Sequence, residues 1–199
     1  MRNNEQGRSM IEMLGVLAIV GVLSVGGIAG YSKAMGKFKT NKAIDQINML
    51  TTNIRTLYSS QRNYNGLTTE LAKKVNLVPA EMYSDVSDSK ITNAFGGSLE
   101  ISVSAASTEG DEKAFILEMD NVPSSACVSI VTTDWGSDSD GGLIAFGTAD
   151  PDEVYIGSTG EDNIHVPGGD DEHSIPYNVT QTSTECGNNT NVTLYWKYM

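Results

Sequence analysis

The sequence is poor in the residue types that most often build catalytic and metal sites. It contains two histidines and two cysteines among 199 residues. It has no Ser/His/Asp spacing, no phosphate-binding glycine loop and no Cys/His cluster. We therefore predict that the protein is not an enzyme, uses no cofactor and holds no metal ion.

Basic residues are also scarce, and their distribution is uneven. Residues 8–62 carry seven basic and two acidic side chains, a net charge of +5. Residues 63–199 carry five basic and twenty-two acidic side chains, a net charge of −17. A domain this acidic repels phosphate backbones, so we expect no nucleic-acid binding by it. The Lys-rich stretch 33–42 leaves that question open for the preceding segment.

Two acidic loops resemble cation sites without completing one. In 134–142, DWGSDSDGG, Asp138 and Asp140 match part of an EF-hand loop, but its first and twelfth positions would both be glycine. In 167–173, PGGDDEH, His173 lies beside three acidic residues. We interpret both as solvated loops, with a bound cation as the alternative.

A long apolar run lies near the N-terminus. Residues 13–32 contain no charged side chain, and as a helix they would cover ~30 Å of hydrocarbon. A signal peptide usually has an apolar core of only ~7–15 residues before a small-residue cleavage site. Because this run continues into a helical pattern after Lys33, we predict that it is retained as a membrane span.

A lone acidic residue, Glu12, borders the run. An ionised carboxylate there costs a few kcal/mol unless it is paired, so its presence predicts a function and a partner. The arrangement of Gly7, four further residues, Glu12 and the apolar run resembles the prepilin cleavage signature of the type IV pilins.

The resemblance implies processing and an assembly role. A prepilin peptidase would cut between Gly7 and Arg8, and the new N-terminal residue, Arg8, would be N-methylated. Glu12 would then offset the amine charge of a neighbouring subunit. Arg8 departs from the Phe, Met or Leu with which the family usually begins. The alternative is a signal anchor that happens to carry a glutamate.

Cys127 and Cys186 both follow the apolar run. If this part of the chain is exported, they should pair and close a loop of ~60 residues, a stabilisation of ~4 kcal/mol. Two buried thiols in a cytoplasmic domain are the alternative. The Lys-rich stretch 33–42 supports that alternative, because positive charge tends to stay on the cytoplasmic side. We give the cleavage signature and the cysteine pair more weight.

After the run, the pattern predicts one helix from near Arg8 to about Gln61. Residues 8–32 would form its membrane-spanning half, and 33–62 an amphipathic half with apolar residues three and four apart. The apolar positions are Ile44, Ile47, Leu50 or Thr51, Ile54, and Leu57 or Tyr58. Low helix propensity predicts that the helix loosens, when packed in a filament, around Gly21, Gly26, Gly27 and Gly30.

Residues 63–199 predict a globular α+β domain with an antiparallel sheet. We expect a short helix in 67–76, capped by Thr68 or Thr69, with Leu71, Val75 and Val78 facing the domain. Segments 99–105 and 113–119 predict a hairpin. Segment 124–133 is ambiguous between helix and strand, and we predict a helix capped by Ser124. Further strands are expected at 143–147, 154–157 and 191–199, the last burying Val192, Leu194, Trp196 and Tyr198.

Two segments of this domain extend the resemblance. TNAFGGSLEISV (92–103) and AFILEMDNVPSSAC (114–127) resemble the type IVb branch, which includes toxin-coregulated and conjugative pilins. The seven-residue leader, residues 1–7, is short in the manner of the other branch.

The resemblance implies a structural subunit, a major pilin, that polymerises with identical copies. The prepilin would sit in the bacterial inner membrane, meet the prepilin peptidase and assembly machinery, and end in an extracellular filament. A minor pilin or a type II secretion pseudopilin is one alternative. A signal-anchored periplasmic enzyme or sensor is another, and it would keep residues 1–7.

Overall fold

The structure is a computed structural model that describes residues 5–83, 90–136, 141–170, 172–175, 177–187 and 191–199. Its helices are α1 (Glu5–Tyr58), α2 (Thr69–Lys74), α3 (Ser124–Val131) and α4 (Val179–Gly187), with a 3-10 turn at Ala80–Met82. Its strands are β1 (Ile91–Thr92), β2 (Ser98–Ser104), β3 (Ala114–Pro123), β4 (Leu143–Gly147), β5 (Ile164–His165) and β6 (Asn191–Tyr198). The chain divides into two compact units, Met1–Phe38 and Lys39–Met199.

The predicted long helix is present, with small differences at its ends. It begins at Glu5 rather than near Arg8, and it ends at Tyr58 rather than at Gln61. A turn follows, in which the Gln61 amide donates to the Tyr58 carbonyl at 2.8 Å. The sequence Asn65-Gly66 then supplies the left-handed backbone that the turn needs, with Gly66 at φ +78°.

The amphipathic stripe of α1 is buried in the second unit. Its fully or nearly fully buried side chains recur every three or four residues: Ala43, Ile47, Leu50, Ile54 and Tyr58. Leu57, the alternative to Tyr58, is 42% exposed. The 3.6-residue period of the sequence therefore predicted the buried face to within one residue.

The six strands form one antiparallel sheet in the order β1-β2-β3-β6-β4-β5. The predicted hairpin is β2 and β3, and the C-terminal strand β6 lies between β3 and β4. Leu117 pairs with Trp196 at the centre of the sheet. The α+β class, with an antiparallel sheet and a disulfide-bounded C-terminal region, is confirmed.

One predicted strand is wrong. Residues 154–157 form turns, in which the Val154 amide donates to the Pro151 carbonyl at 3.0 Å and the Ser158 amide to the Tyr155 carbonyl at 3.0 Å. Val154 is buried in a small apolar cluster with Ile144 and Ile164. Its apolar character therefore reflects a loop packed on the sheet. The strand that pairs with the outer side of β4 is β5.

The structure confirms the predicted cap of α2 and differs from the prediction in the buried face of α2 and the cap of α3. Thr68 caps α2, because its hydroxyl accepts a hydrogen bond from the Leu71 amide at 3.1 Å. Val75, however, is 42% exposed, and Ala72 is the residue of α2 that is buried. Ser124 does not cap α3: the helix begins at Ser124 itself, after Pro123, without a side-chain cap.

The N-x-F-G-G segment forms the tight turn between β1 and β2. The side-chain nitrogen of Asn93, Nδ2, donates to the backbone carbonyls of Asp120 and Ser98, and its side-chain oxygen, Oδ1, accepts from the backbone amides of Phe95 and Gly97. A Cβ on Gly97 would lie 2.6 Å from the backbone carbonyl oxygen of Asp120, so only glycine fits there. The Gln46 side chain of α1 accepts from the turn at Ala94. The motif thus joins the helix to the sheet.

Both faces of the sheet are covered, which the alternation of β6 did not predict. One face packs on α1 and α3 in the main apolar core. On the other face Lys197 is fully buried, and its ammonium donates to the carbonyls of Pro151 and Asp152 at 3.1 and 2.8 Å. Burial lowers the pKa of Lys197, while nearby carboxylates, Asp152 foremost, act in the opposite direction.

Candidate assembly site and disulfide-bounded region

The first unit presents a helix surface of exposed apolar side chains. The large apolar side chains from Met10 to Tyr31 are between 51% exposed, at Val20, and 75% exposed, at Val22. A folded chain rarely leaves so large an apolar patch in water. Such a surface favours burial by lipid or by other proteins.

By length and composition, α1 is able to cross a membrane. Its best window has a mean hydropathy of 2.2, and none of that window is buried. A signal sequence near an N-terminus would pass the same test. The choice between the two rests on Glu12 and on the family.

Glu12 lies on the exposed surface of this helix, and no residue in the described part of the chain forms an ion pair with it. A carboxylate in an apolar environment needs a cation or hydrogen-bond donors. Ser32, by contrast, is satisfied within the helix, because its hydroxyl donates to the Ile28 carbonyl at 3.0 Å. The partner of Glu12 must therefore come from outside the described chain.

The glycines of this segment have no close packing neighbour among the described residues. A Cβ added at Gly21, Gly26, Gly27 or Gly30 would meet nothing within 4 Å. Each glycine costs up to ~1 kcal/mol relative to alanine in a helix interior. Contacts with other molecules, or a change in backbone conformation, would explain why glycine occupies these positions.

The disulfide joins two short helices on the sheet. Cys127 of α3 and Cys186 of α4 are bonded, with their Cα atoms 5.7 Å apart and both side chains fully buried. They are 59 residues apart in sequence. The bond therefore encloses β4, β5 and the loops between them.

Helix α4 is fixed by a second, polar contact that the sequence did not predict. The His165 ring faces two oxygens: the Ser174 carbonyl lies 3.2 Å from Nδ1, and Glu185 Oε1 lies 2.9 Å from Nε2. A carbonyl can only accept, so Nδ1 carries a hydrogen. Both ring nitrogens of His165 therefore lie within hydrogen-bond distance of an oxygen, and the ring connects β5 to α4.

Tyr177 closes this cluster. Its ring stacks on His165 with the ring centroids 3.6 Å apart, and it contacts Phe146 edge to face at 5.5 Å. Burial, followed by the negative charge of Glu185, raises the pKa of the Tyr177 hydroxyl well above its usual range. The cluster ties α4 to β5 and to the aromatic core beside the disulfide.

The two acidic loops are only partly described. Asp138, Asp140 and Asp171 lie outside the described residues. In the second loop His173 Nδ1 lies 2.8 Å from Asp170 Oδ1, an exposed local contact. Within the described residues no group of three or more metal-ligating side chains is found.

The fold is that of a type IVb pilin. It is similar to the crystal structure of a type IV b pilin from Salmonella typhi, with a TM-score of 0.52 and 20% identity, covering 79% of this chain and 98% of that one. It is also similar to TcpA, a type IV pilin from the Vibrio cholerae El Tor biotype, with a TM-score of 0.50 and 18% identity, covering 81% and 99%.

Sequence comparison agrees with the fold. The family model described as PilS N terminal matches residues 37–198. The major structural subunit of bundle-forming pilus of Escherichia coli O127:H6 (strain E2348/69 / EPEC) is 31% identical over 137 residues, which are 69% of each chain. The subunit of the same name from E. coli O111:H- matches equally. The chain belongs to the PilS family of type IVb pilins and is a pilin subunit.

Proposed function

We propose that the protein is the major subunit of a type IV pilus, made as a prepilin and polymerised with identical copies. The observation that carries the proposal is the unburied apolar surface of α1 with Glu12 unpaired within the described chain. A filament core made of the same helix from many copies would bury that surface. The relatives named as the major structural subunit of bundle-forming pilus support this assignment.

Processing would precede assembly. The peptidase of the assembly machinery would remove residues 1–7, and Arg8 would carry the new α-amino group. In the inner membrane, residues 8–32 would anchor the subunit, and the disulfide-bounded region would fold on the oxidising side. In the filament, the amine of one subunit would approach Glu12 of another, which supplies the partner that this carboxylate lacks.

We also place helix loosening at Gly21, Gly26, Gly27 and Gly30. No packing within the chain explains these glycines, and their helix propensity is the lowest in the span. A density map of the filament would show the break as lost helical hydrogen bonds in segment 21–30. An unbroken helix through Gly26 and Gly27 would contradict it.

The N-terminus of the mature protein tests the proposed function directly. Protein sheared from the surface of cells should begin at Arg8 by N-terminal sequencing, and its intact mass should equal residues 8–199 with one disulfide, with or without a methyl group. Surface protein that begins at Met1 would contradict pilin processing. Abundance in the sheared fraction separates a major pilin from a minor pilin or pseudopilin.

A further inference from the structure

Basic side chains line an open cavity at the end of α1. The cavity has a volume of about 340 Å³, and Arg55, Arg62 and Lys113 line it together with Tyr58 and Tyr64. No acidic side chain is among the described residues that line it. We call it the basic cavity. It lies on a domain whose overall charge is strongly negative, so its sign differs from that of its surroundings.

The basic side chains of the cavity have little ion pairing among the described residues. Arg55 is held in place, because Nη1 donates to the Gly141 carbonyl at 2.8 Å. Arg62 is exposed and forms no ion pair with any described residue. Lys113 is 55% exposed and lies 3.8 Å from Asp111, a long contact for an ion pair. Arg62 is therefore open to a partner, and Lys113 is exposed and only loosely paired.

An exposed acidic turn has the complementary charge. Glu161 and Ile164 exchange two backbone hydrogen bonds, of 3.2 and 2.9 Å, and Asn163 takes the left-handed conformation at φ +65°. Glu161 and Asp162 are exposed at this turn, and neither pairs with a cation in the part of the chain that the structure describes. We call residues 161–164 the acidic turn.

The basic cavity and the acidic turn lie at opposite ends of strand β4. At the start of β4, Arg55 contacts Gly141 and the Met199 amide donates to Gly142. At its end, Gly147 pairs with Ile164, and the Thr148 amide donates to the Asn163 carbonyl at 2.9 Å. One end of this part of the sheet therefore carries the basic cavity, and the other carries exposed acidic side chains.

We propose that the basic cavity of one copy receives the acidic turn of a second copy. The contact joins different surfaces on the two copies. Each subunit can therefore insert its acidic turn into one neighbour and receive the acidic turn of another in its basic cavity. Such head-to-tail contacts do not need to close on themselves and can extend into a helical filament. Attraction between opposite charges favours this pairing. Repulsion disfavours pairing of two basic cavities or of two acidic turns. The inference rests on the proposed function, because it names a contact within the filament.

Charge reversal with rescue tests the contact in cells that express the full chain. A cavity variant, Arg62→Glu with Lys113→Glu, and a turn variant, Glu161→Lys with Asp162→Lys, should each lower the yield of sheared filament about tenfold or more at physiological salt. The four substitutions together should restore the yield, because the reversed charges again attract. Arg55 is left unchanged because it also holds the Gly141 carbonyl.

Matched controls change the same charge elsewhere on exposed positions. Lys74→Glu with Lys90→Glu controls for the cavity variant, and Glu109→Lys with Glu153→Lys controls for the turn variant. A filament yield in each control close to that of the unchanged chain supports the inference. As a second measurement, Arg62→Cys with Asp162→Cys should give a ladder of cross-linked chains on oxidation of filaments.

Several results would overturn the inference. One is a loss of filament yield in the controls as large as in the variants. Another is failure of the four combined substitutions to restore the yield, together with the absence of a cross-linked ladder. A third is a loss of yield in the cavity variant alone, which would mean that another acidic surface enters the cavity. In each case filaments of the unchanged chain in the same experiment would leave the proposed function standing. Absence of filaments from the unchanged chain would contradict the proposed function itself.

Discussion

Glu12→Ala should abolish or severely reduce filament formation while leaving processed, stable subunit in the membrane. The carboxylate has no partner in the described chain, and an unpaired carboxylate in an apolar core costs several kcal/mol. If Glu12 offsets a neighbouring amine during assembly, its removal leaves that amine uncompensated at every subunit. Sheared filament, membrane-bound subunit and mature N-terminus are measured in parallel.

Two companion variants sharpen this test. Glu12→Gln keeps the size of the side chain and removes the charge, so it should behave like alanine. Lys37→Glu with Lys42→Glu reverses charge further along α1, at exposed Lys37 and half-buried Lys42, where an ion pair such as that of Lys42 with Glu81, at 3.4 Å, is worth only ~0–1 kcal/mol. Those filaments should form, and their stability should be more sensitive to salt. Filament yield from Glu12→Ala equal to that of the unchanged chain would remove the proposed role of this residue.

Cys127→Ala with Cys186→Ala should lower the free energy of unfolding by about 4 kcal/mol. The bond closes a segment of 59 residues, and α4 has few apolar residues with which to hold itself on the sheet. Alanine is the suitable replacement, because both sulfur positions are fully buried and a hydroxyl there would add an unpaired polar group. Denaturant unfolding of the full chain in detergent measures the change.

Reduction of the unchanged protein provides the control for this variant. It should lower the denaturation midpoint by a similar amount, because it removes the same constraint, and it should have no effect on the double variant. Limited proteolysis should cut first in and around α4, which remains tied to β5 through the contact of Glu185 with His165. A loss of stability below about 1 kcal/mol would show that this polar cluster holds α4 without the bond.

The elements predicted well are those in which one pattern decides the structure. The stripe of α1 from Ala43 to Tyr58 and the alternating residues of β6 bury apolar side chains at the period of a helix and of a strand. Thr68 is a side-chain cap next to an amphipathic turn, and the structure uses it in that way. Local propensity and burial agree in all of these segments.

The incorrect predictions lie where contacts between segments distant in sequence determine the structure. Val154 is apolar because a loop covers the outer face of the sheet, and the same loop buries Lys197, which the alternation of β6 placed in solvent. Neither fact can be read from a local period. Strand β5 has only two residues, too few for a pattern to form.

Helix α4 was not predicted, although the sequence contains a signal for it. Its residues, VTQTSTECG, are mostly polar and show little apolar periodicity. Asn178 and Gln181, however, form a capping pair: the Asn178 side chain accepts from the Thr180 amide at 3.0 Å, and the Gln181 side chain accepts from the Asn178 amide at 3.2 Å. That pair, three residues apart, is the feature that could have predicted the start of α4.

The candidate site was predictable to different degrees. Glu12 is recognisable because it is a lone acidic residue beside an uncharged run, which is unusual in any membrane segment. The contact between His165 and Glu185 is not recognisable, because both residues lie in polar segments and meet only through folding. Single histidines and glutamates in such segments are ordinary surface residues in most proteins.

The central claim is that other copies of the chain bury the apolar surface of α1. A density map of filaments sheared from cells, at a resolution that traces α1, tests it most directly. The account predicts that residues 10–31 of each copy are surrounded by the same segment of neighbouring copies, with Glu12 beside the α-amino group of Arg8 of another subunit. A filament in which this segment faces solvent, or in which Glu12 meets no amine, would contradict it.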